Sequence, residues 1–211
     1  MFTINNNQPI QPNQLESKGY TLQSILTHSE IGDFIMPYFF KRNPVMIFYG
    51  IFSISLLVIS VYSLIKSGAF LDHLSEFSLG IAFFFLLVPF HELIHGFMYR
   101  RAGAYKVSYK AEWKKFIFYA MADKFVTFKK PFLYIALAPF VVINSLLILV
   151  IFLAPASQYF IWLGALFMHA GGCSGDFGLI SYFYTFWDKD PVTFDDVEGK
   201  VSYFFIKDSS K

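Results

Sequence analysis

Four long apolar stretches divide this chain, and shorter polar segments separate them. Val45–Ile65 carries no charge and follows Lys41-Arg42-Asn43-Pro44. Phe77–Tyr99, Phe132–Leu153 and Tyr159–Phe183 complete the set. About 20 residues at 1.5 Å each cross a 30 Å hydrocarbon layer, so each stretch predicts a transmembrane helix. A short polar turn with Asp72, His73 and Glu76 joins the first two, and Ala154-Pro155-Ala156-Ser157 joins the last two.

The segment between the second and third stretches has a different period. From Lys106 to Lys114, Val107, Tyr109, Ala111 and Trp113 alternate with Lys106, Ser108, Lys110, Glu112 and Lys114. A period of two predicts a strand. Phe116–Ala120 and Phe125–Phe128 are further strand candidates, closed by Lys129-Lys130-Pro131. Residues 1–19, rich in Asn, Gln and Pro, read as a disordered tail. In 20–40, Leu22, Ile25, Leu26, Ile31, Phe34 and Ile35 form a rough helical stripe, which predicts a surface helix or a plain connector. After an acidic run, Val201–Ile206 is strand-like and opposite in charge to the basic insertion with which it could pair. The predicted class is an all-α integral membrane protein. It has about four transmembrane helices and a small cytoplasmic β-hairpin or sheet. Its parts are a tail and possible surface helix (1–43), two spans (44–99), the basic β insertion (100–130), two spans (131–183) and a C-terminal tail with a strand (184–211).

Composition supports the membrane class. The chain is 55% hydrophobic and 15% charged, against about 25% charged in an ordinary soluble domain. Its 28 phenylalanines are too many for one soluble core of this size. The single cysteine, Cys173, excludes an internal disulfide. Charge position gives an orientation. Residues 100–130 hold nine Lys and Arg against Glu112 and Asp123, and cationic loops stay in the cytoplasm. Both termini are then expected inside and the uncharged 154–158 turn outside.

The second stretch contains His91-Glu92-Leu93-Ile94-His95. Residues four apart share one helix face, so His91 and His95 can hold one metal ion. Glu92 lies about 100° round the helix, placed to act as general base on a water at that metal. An ionisable residue at bilayer depth costs about 2.5–3.5 kcal/mol on insertion scales, which argues against three of them in five positions without a function.

The expected topology places other polar residues at the same depth. The motif lies roughly 8–14 Å below the cytoplasmic end of its helix. Asp176 lies seven residues before Phe183 in the descending fourth span. It is the expected third metal ligand: two imidazoles and one carboxylate leave a position open for water. A zinc ion with Glu92 and Asp176 also sums to zero charge, which eases burial. His169 can share the face of Asp176 as a support for a ligand, an alternative ligand or a substrate contact, and equally as a packed histidine. Asn144 can hold a substrate carbonyl, steady the site or bond two helices together. The glycines around Asp176 allow either a break in the helix or close helix packing.

These motifs resemble the three-helix core of site-2 proteases. The elements are His91-Glu92-Leu93-Ile94-His95, Ala138-Pro139-Phe140-Val141-Val142-Ile143-Asn144 and Ser174-Gly175-Asp176-Phe177. The chain resembles more closely the small bacterial membrane proteins called putative zincin peptidases, over about residues 77–183. It departs from site-2 proteases at the third element, where Gly-Asp-Phe stands in place of Leu-Asp-Gly. The resemblance implies an intramembrane zinc metalloprotease in a bacterial cell membrane. Zn²⁺ is the implied cofactor. Partners are the lipid bilayer and a membrane-protein or peptide substrate, with no nucleic acid. The 106–114 strand could take up the substrate by edge pairing. Two alternatives stand beside this. A zinc-binding scaffold without activity has no use for Glu92. A metal transporter wants polar residues up to both faces, and Val45–Ile65 offers only Ser and Tyr. A diiron oxidase needs more histidines than the five present.

Overall fold

A computed structural model describes residues 11–27, 29–112 and 117–207. Within it the chain is mostly helical, with two small sheets. Helices α1 (Ile31–Phe39), α2 (Pro44–Lys66) and α3 (Phe70–Ala102) follow one another, as do α4 (Lys129–Leu153), α5 (Tyr159–Gly172) and α6 (Ser174–Thr185), with short strands before, between and after the two groups. Strands β1 (Tyr20–Thr27), β6 (Val201–Lys207), β5 (Val192–Asp196) and β4 (Thr127–Phe128) form an antiparallel sheet in that spatial order. Strands β2 (Val107–Glu112) and β3 (Ile117–Ala122) form a separate hairpin.

Three helices are long and apolar enough to cross a membrane: α2 with 23 residues, α3 with 33 and α4 with 25. Local chemistry sets their ends. Asn43 caps α2, its side chain accepting from the Met46 amide at 3.0 Å, and Pro44 occupies the first turn, where its missing N–H costs nothing. Gly103, at φ 107°, ends α3 in the left-handed conformation. Helices α3 and α5 approach almost backbone to backbone: a Cβ on Gly80 would collide with the Ile161 carbonyl, and one on Gly164 with the Phe77 carbonyl.

Several expectations need correction. The fourth apolar stretch is two helices of 14 and 12 residues, broken at Cys173. Carbonyls freed at the break are satisfied from α2: the Tyr49 hydroxyl lies 3.0 Å from the Ala170 oxygen and 3.3 Å from that of Gly171. Residues 20–27 are a strand rather than a helix, and only 31–39 coil. Residues 11–19 make two 3₁₀ turns that bury Leu15 completely, in place of a tail; residues 1–10 lie outside the described part. The C-terminal strand pairs with β1 and β5, and the tail meets the 100–130 insertion chiefly where β5 pairs with β4. The protein is mostly helical with a small sheet, as expected, but that sheet has four strands and draws β1, β5 and β6 from outside the 100–130 insertion. His73, in the segment between the first two apolar stretches, stacks on Phe160.

The four-stranded sheet has one apolar face and one mixed face. Val192 and Phe194 of β5 and Phe205 of β6 pack with Tyr20 and Leu15. The opposite parity, Thr193 and Asp195 with Ser202 and Phe204 across from them, faces the helices and the cavity described next. Phe204 packs there against Tyr182 and Phe183 of α6 and Phe132 of α4.

Candidate metal centre and active-site cavity

Helix α3 presents His91, His95 and Tyr99 on one face at intervals of four residues, with Glu92 beside them. The break at Cys173 brings Asp176 into the first turn of α6, where the helix dipole favours a carboxylate. The structure places His91 Nε2 3.2 Å and His95 Nε2 3.3 Å from the Asp176 carboxylate, and the two Nε2 atoms 3.0 Å apart.

The remaining ring nitrogens fix the protons. His95 Nδ1 lies 2.9 Å from the Ile135 carbonyl, which can only accept. Nδ1 therefore carries the proton, and Nε2 is bare in the neutral ring. Asn144 Oδ1 lies 2.7 Å from His169 Nδ1, so His169 donates there and its Nε2 accepts. His91 Nδ1, 3.3 Å from that Nε2, is then the donor, and His91 Nε2 is bare as well. Two lone pairs and a carboxylate thus converge on one point. A proton or a metal ion among them relieves the repulsion of such a triangle. Tetrahedral zinc with ligands at 2.0–2.1 Å would space them about 3.3 Å apart, which the observed edges match. These three residues can hold one metal ion. A second trio, His91, His169 and Cys173, also lies within ligand range, but both His169 nitrogens already face Asn144 and His91.

Glu92 completes the group. Its Oε2 is buried without a hydrogen-bond partner, while the carboxylate accepts from the Ala120 amide of β3. Every site residue expected from the sequence falls in this region. His91, Glu92, His95 and Asp176 line one cavity of about 400 Å³. His169 and Asn144 lie behind it, fully or nearly fully buried, and Asn144 Nδ2 has no partner. A smaller recess of about 120 Å³, walled by Phe84, Phe85 and Val88 of α3, also reaches His91 and Glu92.

Two cavity residues escaped the sequence reading. Tyr99 stands eight residues beyond His91, a spacing that places it on the motif's face. Asp195 belongs to the four-stranded sheet, and its carboxylate accepts from Ser202 Oγ at 2.6 Å. Burial pushes its carboxyl up to about 6, Asp123 adds to the rise, and the Ser202 and Ala122 hydrogen bonds oppose it. The alternation Val192, Thr193, Phe194, Asp195 was the available signal.

Among known proteins, the family described as "Putative zincin peptidase" matches residues 84–189, half of the chain. The chain belongs to that family. No curated protein and no solved structure gives a significant match. The matched segment of this zincin-family chain runs from the wall of the smaller recess through the α3 motif, Asn144, His169 and Asp176. It stops short of Asp195, so the family segment holds the candidate ligands and Glu92, while part of the cavity wall comes from outside it. Zincin membership implies zinc, and the His91, His95 and Asp176 cluster suits it.

Proposed function

We propose that this protein is an intramembrane zinc metalloprotease that hydrolyses peptide bonds within or near the bilayer. The carrying observation is the triangle of His91 Nε2, His95 Nε2 and Asp176 with 3.0–3.3 Å edges, in one cavity with the unpartnered Oε2 of Glu92. His91, His95 and Asp176 are the proposed ligands and Glu92 the general base. Zn²⁺ held there supplies Lewis acidity toward water and the scissile carbonyl. Glu92 accepts a proton from the attacking water as the new C–O bond forms. It returns that proton to the amide nitrogen as the C–N bond breaks. His169, anchored by Asn144, holds the His91 ring in the tautomer that leaves Nε2 bare. The closed site carries no net charge from the ion, Glu92 and Asp176, which suits its place among apolar helices.

The substrate in this reading is a membrane protein or membrane-bound peptide that unwinds before cleavage. The Phe84–Val88 recess, on a helix whose outer face is apolar, supports entry from the lipid side. β3 rather than β2 is the strand that lines the cavity. The cell membrane, with both termini in the cytoplasm, is the proposed location. The cationic 100–130 segment supports it, as does the β1–β6 pairing that gathers both ends of the described chain on one side.

The test is zinc content and cleavage measured together on purified wild type, Glu92→Gln and Asp176→Ala, with an unstructured membrane-anchored substrate. About one zinc per chain in wild type and Glu92→Gln, with cleavage only in wild type, is expected. Zinc without cleavage in wild type would favour the inactive scaffold. A folded wild type that takes up no zinc would end the metalloprotease reading.

A further inference from the structure

The cavity has two acidic poles, and the hydrolytic chemistry uses only one. Glu92 and Asp176 form the first. Asp195 forms the second, on the wall contributed by the four-stranded sheet, beside Thr193 and Ser202. Its carboxylate accepts from Ser202 Oγ and from the Ala122 amide, two neutral donors. No Lys or Arg is among the described residues that line the cavity. A divalent ion on the His91, His95 and Asp176 triad is balanced by Glu92 and Asp176. The charge of Asp195 is then left uncompensated in a partly desolvated wall, where it attracts a cation strongly. Its carboxyl, at about 6, is still ionised at neutral pH.

Strand β3 sets the distance between the poles. The Asp123 amide, just past its end, donates back to Lys106 on the β2 side. By the alternation of an antiparallel pair, the Ala120 and Ala122 amides point to the opposite edge. There the Ala120 amide meets Glu92 and the Ala122 amide meets Asp195. Alternate residues of a strand lie about 6.8 Å apart, and an extended peptide repeats its side chains on one face at the same interval. A peptide bond seated at Glu92 therefore brings a side chain two residues away to Asp195.

We propose that Asp195 is a specificity-determining residue that binds a lysine or arginine side chain two residues from the scissile bond. The proposal rests on the hydrolase reading above and narrows its substrates to chains with a basic residue flanking the cleaved segment. Such residues are common where a transmembrane helix meets the cytoplasm.

The experiment uses zinc-loaded full-length protein in detergent and lipid-anchored, quenched-fluorescent peptides. The peptides are identical except for Lys, norleucine or Glu scanned through the three positions on each side of the cleaved bond. Wild type should cleave the best Lys peptide with kcat/KM about tenfold above its norleucine twin, the scale of one charged hydrogen bond. Asp195→Asn keeps the Ser202 contact. It should lose that ratio while cleaving the norleucine peptide at the wild-type rate. Asp195→Lys should favour the Glu peptide. A parallel arm measures binding of the labelled peptides to zinc-loaded Glu92→Gln, alone and combined with Asp195→Asn, and needs no turnover. Cleavage of the norleucine peptide with no Lys preference overturns the proposal and leaves the hydrolase reading intact. Absence of all cleavage counts against the hydrolase reading. In that case equal binding of Lys and norleucine peptides to Glu92→Gln, or a preference that survives Asp195→Asn, overturns the proposal as well.

Discussion

At His91 the proton count decides whether a metal can bind, and that count is set two residues away. Asn144 holds a proton on His169 Nδ1, and His169 in turn holds one on His91 Nδ1. His169→Ala leaves both neighbours without partners in a buried place. Zinc affinity, measured by chelator competition, should fall about 10- to 100-fold, the usual cost of losing a group that orients a ligand. Unchanged affinity would make His169 a packing residue only. Asp195 gives a second prediction at this scale. Its carboxyl titrates near 6 in the folded chain, against 3.8 for the ordinary group. Between about pH 4 and pH 6 the folded state keeps a proton that the unfolded state has released. Stability therefore falls as pH rises through that window and levels off above it. Asp195→Asn should flatten this slope and be the more stable form at pH 7.5, by up to about 3 kcal/mol. Denaturation midpoints of both proteins across pH 4–8 check this, and parallel slopes would refute it. His91, Glu92 and His95 were legible because the proposed chemistry needs adjacent positions on one helix, whereas Asp176, on α6, was legible only from its expected depth. Asp195 was not, because in an acidic run of Asp188, Asp190, Asp195, Asp196 and Glu198 only strand parity selects it. That parity acquires meaning once β5 is seen to pair with β6.

Among the elements, the contact of α3 with α5 fixes the motif helix in place. The Gly80 and Gly164 crossings leave no room for a methyl group, since the obstacle is backbone carbonyl on both sides. Gly50, on α2, has nothing within 4 Å of its would-be Cβ. Gly164→Ala should destabilise by about 1–3 kcal/mol through overpacking, while Gly50→Ala should be neutral or mildly stabilising. Thermal unfolding in detergent separates the two, and equal midpoints would show that the crossing is loose. The long helices were readable from hydropathy because α2, α3 and α4 keep long apolar runs. Strand β1 was not readable, and its register explains the failure. Leu22 pairs with Phe205 and Ser24 with Phe204, so Gln23 is an extra residue in a bulge. The bulge resets the alternation, placing Tyr20, Leu22 and Ile25 on one side. Spacings of two and three residues imitate a helix. The break at Cys173 was foreshadowed by Gly171, Gly172 and Gly175, but the Tyr49 hydroxyl that makes it tolerable lies 121 and 122 positions before the Ala170 and Gly171 carbonyls it meets.

For the molecule as a whole, the candidate metal centre ties α3 to α6, and the cavity is closed by α1 near one end of the described chain and by β5 and β6 at the other. Zinc that binds only the folded form should raise the thermal midpoint, by mass action, in proportion to the logarithm of its free concentration. Chelation should lower the wild-type midpoint and leave His95→Ala unmoved; a chelator effect of equal size on both would place the metal elsewhere. The sheet has a consequence for the order of events during synthesis. Tyr20 pairs with Lys207, so β1 leaves the ribosome long before its neighbour exists. All the apolar helices are made in between. Until β6 arrives, β1 has no partner on that edge, and the wall carrying Thr193, Asp195, Ser202 and Phe204 is missing. His91, His95 and Asp176 have all been made by then, but the chamber around them stays open on one side. A nascent copy therefore holds the candidate ligands before it has a chamber around them, and β6 completes that chamber.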